Sequence, residues 1–383
     1  MNVRKRGDLR PEGVFRQLAM LAQKGPPGML KSESEWREMM KMKKLVFLSL
    51  ALVLAMGIVA FATHTSAQAA PEYKWRLAQV HPVDSDFDVR AKAFAKKVFD
   101  RTNGRIQIDV YSGGVLGDWT ETFEMLMRGS LEMTMAQANA NFDPKLNLAY
   151  YFPYLVTDMK EAKKVYGQGG WAYKIIQDLW ATHNIKALSV IPVGMSGVSL
   201  KSLPKDYANP SVAKGMKVRV MPIKPCEMTY EALGYIATPI PYAEAYSAIQ
   251  TGIADGQMGG PPYQAWQFKD VNKVWIQYND YFESWWLAIN QDVWKKLPKK
   301  DQEIIQKAAN EESVIRWENV AKEDEEYRQK LKNEYGWQIV MLTPAQLKEV
   351  AKQVRKTTWP KMEQLVGKEL MDRIYKESKI PRQ

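Results

Sequence analysis

Arg219 has the clearest chemical setting in the chain. It sits in Gly215-Met-Lys-Val-Arg-Val220, where Met216, Val218 and Val220 alternate with Lys217, Arg219 and Met221, the period-two signature of a strand. Pro222 stops the ladder. Arg219 therefore points away from the valines near a strand end, where open α/β sheets gather ligand-binding groups. Its guanidinium is a planar fork suited to a carboxylate and stays charged at any working pH. The plainer reading is a surface arginine at a strand end.

Groups that could perform catalysis are scarce. Beyond residue 69 the only histidines are His81 and His183, and there is no H-E-x-x-H or paired-cysteine metal spacing. Gly194-Met-Ser196-Gly197 starts like a nucleophile elbow, but Val198 breaks G-x-S-x-G. Gly167-Gln-Gly169-Gly-Trp-Ala172 fits G-x-G-x-x-A, yet it follows a charged helical stretch where a dinucleotide site needs a strand. Asp255 could serve as a base, although Asp255-Gly256 reads first as a turn. The single cysteine, Cys226, excludes an internal disulfide and reads as a packing residue near a cleft. No cofactor is called for. A binder needs less than an enzyme: a crevice, a charge complement and a shaped wall.

The elements around these residues alternate. Tyr73–Val80 reads as a strand, Phe87–Arg101 as an amphipathic helix stopped by Asn103-Gly104, and Ile106–Val110 as a second strand. A helix over Thr120–Arg128, closed by Gly129, leads to a third strand at Leu131–Ala136. Helices follow at Asp158–Tyr166 and Trp171–His183, then a strand at Ala187–Pro192. Tyr242–Thr251 is helical with Gly252 placed to cap it, and Ile253-Ala254 runs extended into the Asp255-Gly256 turn. Asp301–Tyr335 reads as one helix about 52 Å long at 1.5 Å per residue. Gly336 ends it, Trp337–Leu342 is a strand, and Thr343-Pro344-Ala-Gln346 is a capping box. Alternating strands and helices imply largely parallel sheets. With no low-complexity linker, the chain is expected to cross between lobes several times.

At Gly215–Gly260 the sequence resembles the solute receptors of TRAP (tripartite ATP-independent periplasmic) transporters, the DctP-like family. That pattern, G-x-K-x-R-V, then G-x-x-x-x-P, then E-x-Y-x-A-L-Q-T-G-x-x-D-G-x-E-N-P, is matched at Gly215, Lys217, Arg219, Val220, Pro239, Glu244, Tyr246, Ala248, Gln250, Thr251, Gly252, Asp255 and Gly256. Ile249 replaces the leucine, and Met258-Gly259-Gly260 replaces E-N-P. His81-Pro82 with Ser85, Arg101–Arg105, Gly114–Gly117 and Gly129–Met133 also follow the family, and the resemblance runs from about Tyr73 to the C-terminus. It implies a periplasmic-binding-protein-like fold, two α/β lobes around a ligand cleft with a long helix spanning both. Lobe I would comprise 70–196 and 285–324, and lobe II 197–284 and 325–383.

The resemblance further implies a periplasmic receptor that captures an organic acid and hands it to the small and large integral-membrane subunits of a symporter. It would need no ATP and no catalysis of its own. The alternatives are a receptor for an ATP-driven importer and a secreted small-ester hydrolase. Carried over by position, ligand contacts fall on Arg219, Tyr242, Gln137 after the third strand, Trp119, His81, Ser199 in the place of a second arginine, and Gly259 in the place of the asparagine of E-N-P. Trp285, with Trp286, is an aromatic candidate near the lobe crossover. Losing polar anchors while gaining Trp119 and Tyr242 favours a monocarboxylate with an apolar or aromatic body, or a small keto or hydroxy acid.

Charge and the leader complete the reading. Of the formal net charge of +11 over 383 residues, +6 lies in residues 1–69, and no basic cluster interleaved with aromatics speaks for nucleic acid. Lys41, Lys43 and Lys44 precede an apolar run over Leu45–Ala62, followed by Ala67-Gln68-Ala69, the pattern of a cleaved signal peptide. The expectation is a start at Met42, with 1–41 upstream of it, and cleavage after Ala69. A retained membrane anchor is the alternative.

Overall fold

The structure, a computed structural model, describes Ser34, residues 36–48 and residues 70–382. Residues 36–48 are helical, with Leu45, Val46, Phe47 and Leu48 exposed; the rest of the expected leader lies outside the described residues. The chain divides into two units, residues 1–68 and 69–383. Among the described residues no helix is long and apolar enough to cross a membrane.

Two sheets organise the second unit. The first contains β1 (Tyr73–Ala78), β2 (Ile106–Tyr111), β3 (Met133–Ala136), β4 (Ile185–Met195) and β10 (Phe282–Asn290), in the order β2-β1-β3-β10-β4. The second contains β5 (Val198–Leu200), β6 (Lys217–Val220), β7 (Ile236–Pro239), β8 (Gly256–Met258), β9 (Val274–Gln277) and β11 (Gln338–Met341), in the order β11-β9-β5-β8-β6-β7. β1 pairs in parallel with β2 and β3, and β6 with β7 and β8. β10 and β5 run antiparallel to both neighbours, so each sheet is mixed.

The helices begin and end where local chemistry allows. Asp118 and Glu121 close a reciprocal capping box ahead of the Trp119–Arg128 helix, and Gly129 ends it in the left-handed region. Thr343 and Gln346 do the same for the Pro344–Val366 helix. The 37-residue Lys299–Tyr335 helix ends at left-handed Gly336, as expected. Asp255-Gly256 is a correction: the turn lies at Thr251-Gly252, and Gly256 starts β8. A Cβ on Gly256 would stand 2.1 Å from the Ser199 carbonyl oxygen, so this glycine serves a close strand approach.

Three connections join the sheets: Ser196-Gly197 between β4 and β5, 278–281 between β9 and β10, and the Lys299–Tyr335 helix. The two strand crossovers are bound together. Ser196 Oγ donates to Asp280 Oδ1 at 2.7 Å, and Tyr151 donates to Asp280 Oδ2 at 2.8 Å. Ser196 N and Tyr281 O pair at 3.1 Å. The first part of the long helix is fastened to the first sheet's helix by Arg90–Glu312, Lys97–Glu312 and Arg316–Asp86 ion pairs. It passes β4 at Gly194, where an added Cβ would meet Pro261 Cβ at 2.7 Å and the Asp324 carboxylate at 3.2 Å. The Pro344–Val366 helix, which follows β11 of the second sheet, reaches back to the 153–154 segment: Trp359 Nε1 donates to the Pro153 carbonyl and Arg355 Nε to that of Tyr154.

Candidate ligand-binding site

Strand alternation sets the first anchor. Val218 and Val220 enter the main hydrophobic core, which places Arg219 on the opposite face of β6. Sequence reasoning expected it on an open cleft; instead it is 2% exposed. Nε donates to the Ile240 carbonyl at 2.8 Å, and the guanidinium lies 5.6 Å from the centre of the Tyr242 ring. Tyr150, Cys226 and Tyr281 complete its surroundings, and burial lowers its pKa from the ordinary arginine value. Among the described residues Arg219 has no ion-pair partner.

Aromatic residues line this cation. Tyr242 opens the Tyr242–Gln250 helix, is half exposed, and donates its hydroxyl to Gln267 Oε1 at 2.6 Å. Trp119, first residue of the Asp118-capped helix, tilts against Tyr150 with ring centres 5.6 Å apart. The Tyr150 hydroxyl donates to the Met221 sulfur.

A second charged group faces the same tyrosines. Glu283, on β10 where the chain enters the first sheet, is 2% exposed. Its Oε1 accepts from Gln264 Nε2 at 2.7 Å and Gln137 Nε2 at 3.3 Å, and its Oε2 from the Tyr281 hydroxyl at 3.1 Å. Burial pushes its carboxyl up to about 7. Tyr150 and Tyr242 both feel the charges of Arg219 and Glu283. The Tyr281 hydroxyl in turn accepts from Gly260 N at 3.2 Å, and a Cβ on left-handed Gly259 (φ +106°) would approach that hydroxyl to 3.6 Å.

The remaining candidates fall into two places. His81 stacks on Phe87 at 3.9 Å and contacts Trp285 at 4.2 Å; burial, then the field of Arg316, holds its pKa down at about 3, so the ring is neutral. Trp285 shares a face of β10 with Glu283, two residues away, whereas Trp286 points into the opposite core against Tyr173 and Trp180. Ser199 is buried in β5, where its Oγ accepts from Asn272 Nδ2 at 3.0 Å. Cys226 is fully buried and burial pushes its thiol pKa well up, so it packs and does not react. Ser196 spends its hydroxyl on Asp280 and the Tyr281 carbonyl. Among the described residues no three His, Cys, Asp or Glu side chains converge to hold a metal.

Residues 77–364 match the family described as bacterial extracellular solute-binding protein, family 7. The chain belongs to that family. It is 26% identical over 280 residues to the ectoine-binding periplasmic protein TeaA of Halomonas elongata, covering 68% of this chain and 73% of the relative. It is also 26% identical over 264 residues to a monocarboxylate 2-oxoacid-binding periplasmic protein of a Nostoc species, covering 66% and 70%. In fold it is similar to a TRAP periplasmic solute-binding protein from Ochrobactrum anthropi (TM-score 0.73, 23% identity, 81% of this chain and 95% of the other), whose own C-terminus occupies its ligand-binding pocket.

Within this family 7 solute-binding protein, sequence reasoning passed over Glu283, Tyr281, Gln264 and Gln257. Gln257 pairs in register with both Arg219 and Ser199, so the three share a row on one face of the sheet. It is 1% exposed, and among the described residues neither its Nε2 nor its Oε1 has a partner. One signal was available: Glu283 is the only charge in the Phe282–Asn290 stretch.

Proposed function

We propose that the protein captures an organic acid in the periplasm and delivers it to the paired membrane subunits of a TRAP-type symporter, without chemistry of its own. The observation that carries this reading is Arg219, a buried cation with no counter-ion among the described residues. A bound carboxylate supplies the missing charge through two charge-assisted hydrogen bonds. Trp119, Tyr150 and Tyr242 then grip the body of the ligand. The names of family relatives include a monocarboxylate 2-oxoacid and C4-dicarboxylates among their ligands, which supports an acid here. The mature chain begins at Ala70. Lobe I comprises 70–196 and 285–324, extended back to Phe282 so that β10 stays whole, and lobe II the rest of 197–284 with 325–383. They close about the Ser196 and 278–281 crossovers when a ligand touches both.

Mass spectrometry of the small molecule released on denaturing freshly purified protein identifies the acid. Calorimetry then tests the anchor. Arg219→Ala is expected to cost about 2–5 kcal/mol of binding, roughly a thirty- to several-thousand-fold loss in affinity. Arg219→Lys, which keeps the charge and loses the fork, should fall between it and the parent. Binding by Arg219→Ala within threefold of the parent would overturn the reading.

A further inference from the structure

The candidate site holds two buried ionisable groups of opposite type, Arg219 and Glu283, and neither has an ion-pair partner among the described residues. From this we infer that Glu283 receives an ammonium group, so that the ligand is a zwitterion whose carboxylate sits on Arg219. The inference rests on the carboxylate reading above and adds the second half of the ligand.

The geometry supports it in three ways. Glu283 is held in place by Gln264, Gln137 and Tyr281, none of them charged. A carboxylate has about four lone-pair positions; Oε1 uses two and Oε2 one, leaving Oε2 free to accept. Gln257 pairs with Arg219, and three residues on, Gly260 N donates to the Tyr281 hydroxyl that holds Glu283. Tyr150 and Tyr242 lie within the fields of both groups, so one small molecule against these rings reaches both. Asp324, mostly protonated near neutral pH, adds no competing negative charge. It is 6% exposed, makes no hydrogen bond among the described residues, and its carboxyl is raised to about 8 by burial with a contribution from Glu283.

The electrostatic balance separates ligand classes. A simple monocarboxylate pairs Arg219 but brings a second negative charge towards Glu283. A zwitterion pairs both groups and adds no net charge to a water-poor site, where unpaired charges cost most. A metal ion is less suited to the position. The groups around Glu283 point N–H and O–H donors at it, whereas a hard cation needs converging oxygens.

Matched ligands test the inference: L-alanine against propionate, L-leucine against 4-methylpentanoate, L-phenylalanine against 3-phenylpropionate, and so on through the L-α-amino acids. Each is titrated calorimetrically into the refolded, ligand-free protein in EDTA-containing buffer at pH 7.5. At least one amino acid is expected to bind ten-fold or more tightly than its partner. In Glu283→Gln that preference should fall to within about threefold, while Glu283→Asp retains part of it. Melting of the unbound variants confirms that they fold. Desamino or hydroxy acids that bind as well as every amino acid overturn the inference, as does a preference unchanged in Glu283→Gln. So does binding that EDTA abolishes and calcium restores, or no response to any amino acid. In each of those cases the carboxylate reading stands or falls separately, on Arg219→Ala with the desamino acids.

Discussion

Two arginines are buried to nearly the same degree in different parts of the molecule, and their surroundings are opposite. Arg316, on the long helix, is 1% exposed; its Nη1 lies 2.9 Å from Asp86 and 2.8 Å from Glu323, and its Nε donates to the Pro192 carbonyl. Arg219, on β6, is 2% exposed with one backbone carbonyl and a tyrosine ring. Arg316 is compensated within the protein and fastens the long helix to the first sheet. Arg219 keeps its charge uncompensated, which the folded chain tolerates at a cost in stability. Burial alone therefore does not separate a structural cation from a binding one; the presence of a counter-ion does.

The contrast makes measurable claims, the largest first. Arg316→Ala should lower unfolding stability by roughly 3 kcal/mol, near the low end for breaking a buried pair because Asp86 and Glu323 keep partial access to water. Urea denaturation at pH 7 checks this, and an unchanged midpoint would erase the distinction. The next effect is the pH dependence of the unbound protein. Asp280, Glu283 and Asp324 are raised by burial to about 6, 7 and 8. Across pH 4 to 8 the unfolded chain loses these protons before the folded one does, so stability is highest near the unfolded carboxylate values and falls as pH rises. Each group adds at most about 1.4 kcal/mol per pH unit inside its window. Glu311, held down at about 2 chiefly by Arg101, acts only at lower pH and with the opposite sign. Glu283→Gln should flatten thermal-melt stability plotted from pH 5 to 7; a curve parallel to the parent's would mean Glu283 does not titrate there. The smallest effect is the sharpest comparison. Arg219→Met removes an uncompensated cation and should raise the stability of the unbound protein by roughly 1 kcal/mol. A loss of that size instead would put Arg219 in the same class as Arg316.

Much of the fold was legible because periodicity and capping are local. The alternation at Met216–Met221, the Asn103-Gly104 stop and the Thr343–Gln346 box all name their elements without reference to distant residues. Asp255-Gly256 was misread because an Asp-Gly pair signals a turn from sequence alone, whereas the need for glycine there comes from Ser199, some sixty residues away in the chain. The site was half legible for the same reason. Arg219 announces itself on an alternating strand. Glu283 lies on β10, every residue of which is buried, so no alternation marks which face it takes. Gln264 and Tyr281 acquire meaning only once the 278–281 crossover brings β10 beside the Pro262–Trp266 helix.

The position of β10 has a consequence for how the protein is made. β10 lies between β3 and β4 in the first sheet, although more than eighty residues, including most of the second sheet, separate it from β4 in the chain. A growing polypeptide that has reached residue 280 still lacks the strand that joins β3 to β4, and it lacks the long helix that covers them. Such non-local pairing carries a large loop-closure cost and folds slowly. The first sheet cannot be completed until about three quarters of the chain has been synthesised, so it stays without its central strand for most of the chain's time on the ribosome.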